Sequence, residues 1–295
     1  MPRTEPMTVG TMLRAATSWL RGRGDEEARL DVELLLARAL GTDRAGLYAR
    51  LAEELLPARR RAFEQLLTRH ANGEPIAYIL GEREFYGLSF VVRPGVLVPR
   101  PETELLVEQV VDYGRTSRAN PLRVIDVGTG CGAVAVALAR ALPRLRALAL
   151  DLSPEAVAVA RENVARHGVA DRVEVAERDL LEGVEGEWDV VAGNLPYIPS
   201  QVVDRLDPGV RDWEPRLALD GGDSGLALHA RLLDQLPGRL RPGGLLVLEI
   251  NDDRGDAAVE LFWRKLPGAE TELLRDVFGR DRVVRAIMPS TEVRR

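Results

Sequence analysis

Asn194-Leu195-Pro196-Tyr197 follows directly on the apolar run Trp188–Gly193, and upstream lies Asp126-Val127-Gly128-Thr129-Gly130-Cys131-Gly132. Each motif supplies half of one reaction. A planar NH2 on a carbonyl or aromatic ring is a poor nucleophile, because its lone pair is delocalised. The Asn194 side-chain oxygen and the backbone carbonyl before Pro196 can each accept one N–H, aligning the nitrogen and favouring positive charge as it develops there. Pro196 fixes the turn, and Tyr197 offers a flat face to the planar group. The glycine loop suits a nucleotide-like methyl donor. In this order the two motifs point to methyl transfer onto nitrogen, with Asn194, Pro196 and Tyr197 as the catalytic residues. Amides and the exocyclic amine of adenine fit the motif equally well.

The donor half has its own logic. Glycines permit a tight turn and close approach of backbone to ligand. The helix that follows presents N–H groups to an anionic moiety. Dinucleotide-binding loops read G-x-G-x-x-G, whereas Gly128–Gly132 reads G-x-G-x-G. That spacing resembles class I S-adenosylmethionine-dependent methyltransferases. The cofactor is then expected against Gly128, Thr129, Gly130, Cys131 and Gly132. Asp151, at the end of the next strand, would accept both ribose hydroxyls unless it only caps the helix starting near Pro154. The resemblance also implies that Asp179 and Leu180 lie near the adenine, with Asn194 at the boundary to the acceptor. Cys131 reads as a small filler, since nothing nearby would lower its pKa.

Elements must hold these residues in place. Leu122–Val127, Ala147–Leu150, Val173–Val175, Val190–Ala192 and Leu245–Ile250 are short apolar runs separated by helical segments such as Ala133–Leu142 and Pro154–Arg166. The alternation predicts an α/β doubly wound, mostly parallel sheet over residues 102–295. Val283–Ile287 is expected to close it as a final strand after Leu273–Phe278. Residues 1–73 read as a helical bundle of four or five segments. Met12, Leu13, Ala16, Trp19 and Leu20, then Leu30, Leu34 and Leu35, then Phe63, Leu66 and Leu67 recur at helical steps. The bundle carries no catalytic constellation and reads as a docking module. Residues 74–101 mix Phe85, Leu88, Phe90, Val92, Val96 and Val98 with glycines and prolines, which predicts a β-hairpin linker.

Composition narrows the function. The chain has 295 residues, 45% of them apolar and 29% charged, as expected of a soluble globular protein. A net charge of -6 argues against stable, sequence-independent nucleic-acid binding. One cysteine and three scattered histidines give no metal-ligand spacing, so no metal is expected. No run reaches the length of a membrane span, and the N-terminus lacks a secretory apolar core, so a cytoplasmic monomer is expected.

Longer stretches resemble one family, the bacterial protein-(glutamine-N5) methyltransferases that modify peptide chain release factors. Pro75-Ile-Ala-Tyr78-Ile-Leu-Gly81 with Glu84-Phe85-Tyr86-Gly87, Val98-Pro99-Arg100-Pro101-Glu102-Thr103-Glu104, and Glu214-Pro215-Arg216 through Asp220-Gly221-Gly222 carry the resemblance. It implies that the helical domain grips a release factor and that the catalytic domain methylates the glutamine of a Gly-Gly-Gln loop. Asn194, Leu195, Pro196 and Tyr197 would hold that glutamine. Arg100 and Glu102 would shape the pocket wall or form an ion pair at the domain entry. Leu195 replaces the family's usual proline. The Leu form is familiar from adenine dimethylases of ribosomal RNA, which keeps adenine-N methylation of nucleic acid as the alternative. A donor-binding protein without catalysis is the third reading.

Overall fold

A computed structural model describes residues 7–290, and the chain divides after Gly81 into two compact units. The first is all helical: α1 (Val9–Arg21), α2 (Ala28–Leu40), α3 (Arg44–Ala49), α4 (Pro57–Ala71) and α5 (Ile76–Leu80). Local signals set the boundaries. Thr8 and Thr11 form a reciprocal capping box on α1, and Asp43 caps α3 through the Gly46 N–H. Gly41, at φ 71°, ends α2, and Pro57 occupies the first turn of α4. Val9, Met12, Leu13, Ala16 and Leu20 bury one stripe of α1 against Leu35, Leu36, Leu47 and Phe63. Two expected core positions point outward instead. Trp19 is 46% exposed and Leu30 is 39% exposed. Trp19 carries the Arg23 guanidinium 4.9 Å from its ring centroid, an apolar face covered by a cation rather than by the core.

The stretch read as a linker from residue 74 contributes helix α5 to the first unit. Pro75 starts that helix rather than a strand, and Gly81 (φ 78°) ends it. The hairpin itself, β1 (Glu82–Phe85) and β2 (Leu88–Val91), belongs to the second unit.

A single 3-10 turn (Pro101–Thr103) leads into α6 (Glu104–Thr116). Then follow β3 (Arg123–Val127), α7 (Ala133–Ala141), β4 (Arg146–Asp151), α8 (Pro154–Arg166), β5 (Val173–Glu177) and β6 (Trp188–Gly193). The chain continues through α9 (Ser200–Val203), α10 (Pro208–Arg211), α11 (Ala227–Gln235), β7 (Leu240–Glu249), α12 (Gly255–Lys265), β8 (Glu270–Arg275) and β9 (Asp281–Ile287). The seven strands order as β5-β4-β3-β6-β7-β9-β8, parallel from β5 to β7 and antiparallel beyond.

Burial on both faces explains the near-continuous apolar runs of β3 and β6. Ile125, Val127, Val191, Leu246 and Leu248 share a core with Leu232, Leu233, Leu261 and Phe262 of α11 and α12. Strand β9 does not close the sheet as expected; it inserts between β7 and β8, which leaves β8 at the edge. The strand read as Leu273–Phe278 ends at Arg275, because the Asp276 carboxylate accepts the Phe278 and Arg280 N–H groups and turns the chain back. Among the described residues no helix is long and apolar enough to cross a membrane.

Candidate active site

Strand order reverses between β3 and β6, where β3 continues to β4 on one side and β6 to β7 on the other. Open α/β sheets bind ligands at such a switch point, outside the carboxyl ends of the strands. Both motifs stand there. Val127 pairs with Gly193, so Gly128 and Asn194 leave adjacent strands side by side. A Cβ on Gly128 would lie 3.4 Å from the Asn194 carbonyl oxygen and 3.3 Å from Leu195 Cδ2. The glycine is what lets the two turns touch. A cleft with about 1170 Å³ of interatomic space, part of it open to solvent, runs along both.

The donor side is braced by two carboxylates. Buried Asp126 accepts the Thr129 hydroxyl at 2.6 Å and the Ala135 N–H at 3.1 Å. Burial raises its pKa to about 6 against these hydrogen bonds, and the nearby Asp151 charge adds to the rise. Asp151 accepts the Gly130 N–H at 2.8 Å and the Ser153 N–H at 2.9 Å, and burial raises its pKa as well. The cap of α8 is Ser153, accepting from Ala156, so capping does not account for Asp151.

The N–H groups expected to stand open to a ligand are thus partly occupied, Gly130's by Asp151 and Ala135's by Asp126. Gly128, Gly130 and Gly132 all have positive φ, and a Cβ on Gly132 would press within 3.3 Å of the Ala160 backbone. Cys131 is buried, its thiol pushed up to about 12 by desolvation. Its carbonyl accepts Asn163 Nδ2 at 2.8 Å, and the same buried amide pairs with both backbone groups of Val91. Asn163 therefore ties the hairpin to the glycine loop, a role no sequence signal marked.

Farther along the cleft, Asp179 is paired with Arg231 at 2.8 Å. Leu180 lines the wall with φ 53°, a left-handed conformation that costs a branched residue energy and is held by its surroundings. Leu217 and Leu228 add apolar surface nearby.

On the acceptor side, Asn194, Leu195 and Pro196 line the cleft. Asn194 Nδ2 donates to Thr103 Oγ1 at 3.0 Å, and Tyr197 turns its hydroxyl to Glu249 Oε1 at 3.1 Å. Burial raises the Tyr197 pKa strongly. The segment after the motif is zipped to residues 219–222 by Ile198 N–H to Leu219 O (3.0 Å) and Gly221 N–H to Ile198 O (2.8 Å). That pairing gives the Asp220-Gly221-Gly222 stretch its task, since a Cβ on Gly221 would lie 2.7 Å from the Pro196 oxygen. Arg100 donates to the buried Glu214 at 2.6 Å, whose pKa burial raises. The wall around it is formed by Pro99 and Thr103, and neither Arg100 nor Glu102 lines the cleft. Thr103 lies within the Val98–Glu104 stretch but had no role assigned to it, and Glu249 had none either.

The PrmC N-terminal domain model matches residues 11–81 and the methyltransferase small domain model residues 101–205. The chain is 43% identical over 277 residues to a release factor glutamine methyltransferase of Moorella thermoacetica, covering 94% of this chain and 97% of that one. The protein of the same name from Geobacter sulfurreducens is 40% identical over 286 residues, covering 95% and 98%. Among solved structures, the hMettl16 catalytic domain superposes with a TM-score of 0.55 at 17% identity, over 80% of this chain and 84% of that one, a likeness of fold alone. A chain so similar from end to end to these bacterial enzymes belongs to the release factor glutamine methyltransferase family.

Proposed function

We propose that the protein transfers a methyl group from S-adenosylmethionine to the side-chain amide nitrogen of a release-factor glutamine, in the cleft between the Gly128 and Asn194 turns. The observation that carries the reading is their contact, which brings a donor loop and an amide-binding motif into one cleft. The cofactor fits the residues present. Each Asp151 oxygen accepts one backbone N–H, which leaves acceptor capacity on both for a vicinal diol. Leu180, Leu217 and Leu228 give apolar wall for a flat ring. When bound, S-adenosylmethionine supplies an electrophilic methyl on a sulfonium.

Asn194 Oδ1 and the Leu195 carbonyl accept the two N–H bonds of the glutamine amide and stabilise the charge that grows on its nitrogen. Leu195 leaves that carbonyl in place, and its side chain fills the space over Gly128. No strong base is needed, because the proton leaves for water after the bond forms. The helical unit docks the release factor, and the enzyme works as a cytoplasmic monomer without stable nucleic-acid binding.

Incubation with donor and a full-length release factor adds one methyl to the Gly-Gly-Gln glutamine by mass spectrometry. A bound donor with no mass gain, or label found only in nucleic acid, overturns the proposal. Asn194→Ala lowers kcat on the order of a hundredfold or more while calorimetric donor affinity stays near wild type. Loss of donor binding in that variant would break the assignment of roles.

A further inference from the structure

We infer that the tip of the β8–β9 hairpin, Val277-Phe278, is a docking knob for the body of the protein substrate, the release-factor surface around the Gly-Gly-Gln loop, which rests on the methyl-transfer reading above. Val277 is 94% exposed and Phe278 75%, the two most exposed large apolar side chains among the described residues, although Val283 and Val284 behind them on β9 are fully buried. Single apolar residues on a surface are ordinary, but two side by side at the end of a turn make a contact point. The turn is built to hold them out. The Asp276 carboxylate accepts the Phe278 N–H at 2.9 Å and the Arg280 N–H at 3.1 Å, and the Asp276 N–H donates to the Arg280 carbonyl at 2.9 Å. Gly279, at φ 77°, closes the turn without strain. A tip fixed in advance loses little entropy when a partner settles on it.

Its place decides the occupant. Strand β9 runs antiparallel to β7, with Glu249 opposite Val283 and the Ile250 N–H donating to the Arg282 carbonyl at 2.9 Å. Residues 276–281 therefore stand beyond the carboxyl end of β7, on the edge of the sheet where Asn194 follows β6. Only β7 separates β6 from β9, so two strand spacings, about 10 Å, lie between them. A glutamine that reaches Asn194 brings the rest of its protein down on this rim. The charges around the tip are matched in pairs: Arg275 with Asp281 at 3.0 Å, Arg280 with Asp252 at 3.9 Å and Arg282 with Asp276 at 3.2 Å. Nothing there draws a phosphate backbone or an anionic membrane. Two side chains also bury far less than the roughly 1,200 Å² that a stable contact with a second copy needs. A contact of that size suits a substrate that must leave after each turnover.

The test is steady-state methylation of a full-length release factor by wild type, Phe278→Ser, Phe278→Trp and Trp263→Ser, with donor Kd by calorimetry and oligomeric state by sedimentation. Trp263 is the control: it is 62% exposed on α12, which leaves the carboxyl end of β7 and runs back toward the opposite edge. Phe278→Ser raises the release-factor KM about tenfold, with kcat and donor Kd within about twofold of wild type. Phe278→Trp keeps KM near wild type, and Trp263→Ser leaves it unchanged. A Phe278→Ser KM within about twofold of wild type overturns the inference, as does an equal rise in Trp263→Ser. A change in sedimentation with KM unaltered also overturns it and gives the tip to a second copy. A wild type that binds donor and methylates no release factor refutes the methyl-transfer reading itself, which separates the two failures.

Discussion

The helical unit and the cleft of the second unit treat buried charge in opposite ways. In the helical unit the ionised form wins. Glu33 has a side chain only 1% exposed, yet its pKa is lowered, because hydrogen bonds from Tyr48, Arg44 and Arg29 outweigh burial. His70, between Asp25 at 3.1 Å and Asp31 at 3.2 Å, is pushed up to about 9 despite desolvation. Along the catalytic cleft burial wins, although Asp276, far along the same unit and paired with Arg282, keeps a lowered pKa. Asp126 rises to about 6 and Glu249 to about 7, and Asp151 and Glu214 rise too. Paired ions contribute to stability, whereas carboxylates held at a cost mark a site whose geometry is kept for chemistry. Substitutions that separate binding from folding sharpen the contrast.

The largest expected effect is at Asp151. Asp151→Ala weakens donor binding by about 1.5–3 kcal/mol, through loss of charge-assisted hydrogen bonds. It leaves the melting temperature of the free protein nearly unchanged, because the cost of burying the carboxylate disappears along with its bonds to Gly130 and Ser153. Calorimetry of donor binding beside a thermal melt reads both. A large drop in melting temperature with donor affinity intact would place Asp151 with Glu33 and erase the distinction.

The same contrast explains what the sequence disclosed. The donor half was legible because its constraints are local: three glycines at positive φ, a strand before them and a helix after. The contacts of Thr103, Asn163 and Glu249 were not, although Thr103 stands in the quoted Val98–Glu104 stretch, because each acts on a partner far along the chain, with no spacing to betray it. Parallel strands showed as apolar runs, but the place of β9 depends on a hairpin folding back between β7 and β8, which periodicity does not encode. Trp19 followed the helical period and still faces outward, since period locates a face only to within one turn. The linker expected from residue 74 begins with a helix instead, because proline can open a helix and α5 follows Pro75.

A smaller effect is expected at Glu33. Glu33→Gln leaves Arg29 and Arg44 without their anion, but both are more than half exposed and stay hydrated. The cost is therefore about 1–2 kcal/mol, below that of breaking a fully buried pair. It appears as faster hydrogen exchange across α2, with donor affinity unaltered. A change in donor affinity here would show that the ion cluster is not confined to stability.

The smallest effect is the pH response of the same unit. His70 binds its proton more tightly when folded, with a pKa of about 9 against the ordinary histidine value of 6.5. A group raised on folding contributes its full stability below the unfolded value and loses it as pH climbs through the folded one. The loss thus falls between about pH 6.5 and 9. Discounted for its partial contact with water, it amounts to about 1 kcal/mol. Amide protection in α2 and α4, corrected for intrinsic exchange, should decline over that window in wild type and stay level in His70→Gln. Protection in wild type that stays level from pH 6 to 9 would mean His70 is neutral between its two aspartates, and the helical unit would then hold an unpaired charge of the kind assigned here only to the catalytic unit.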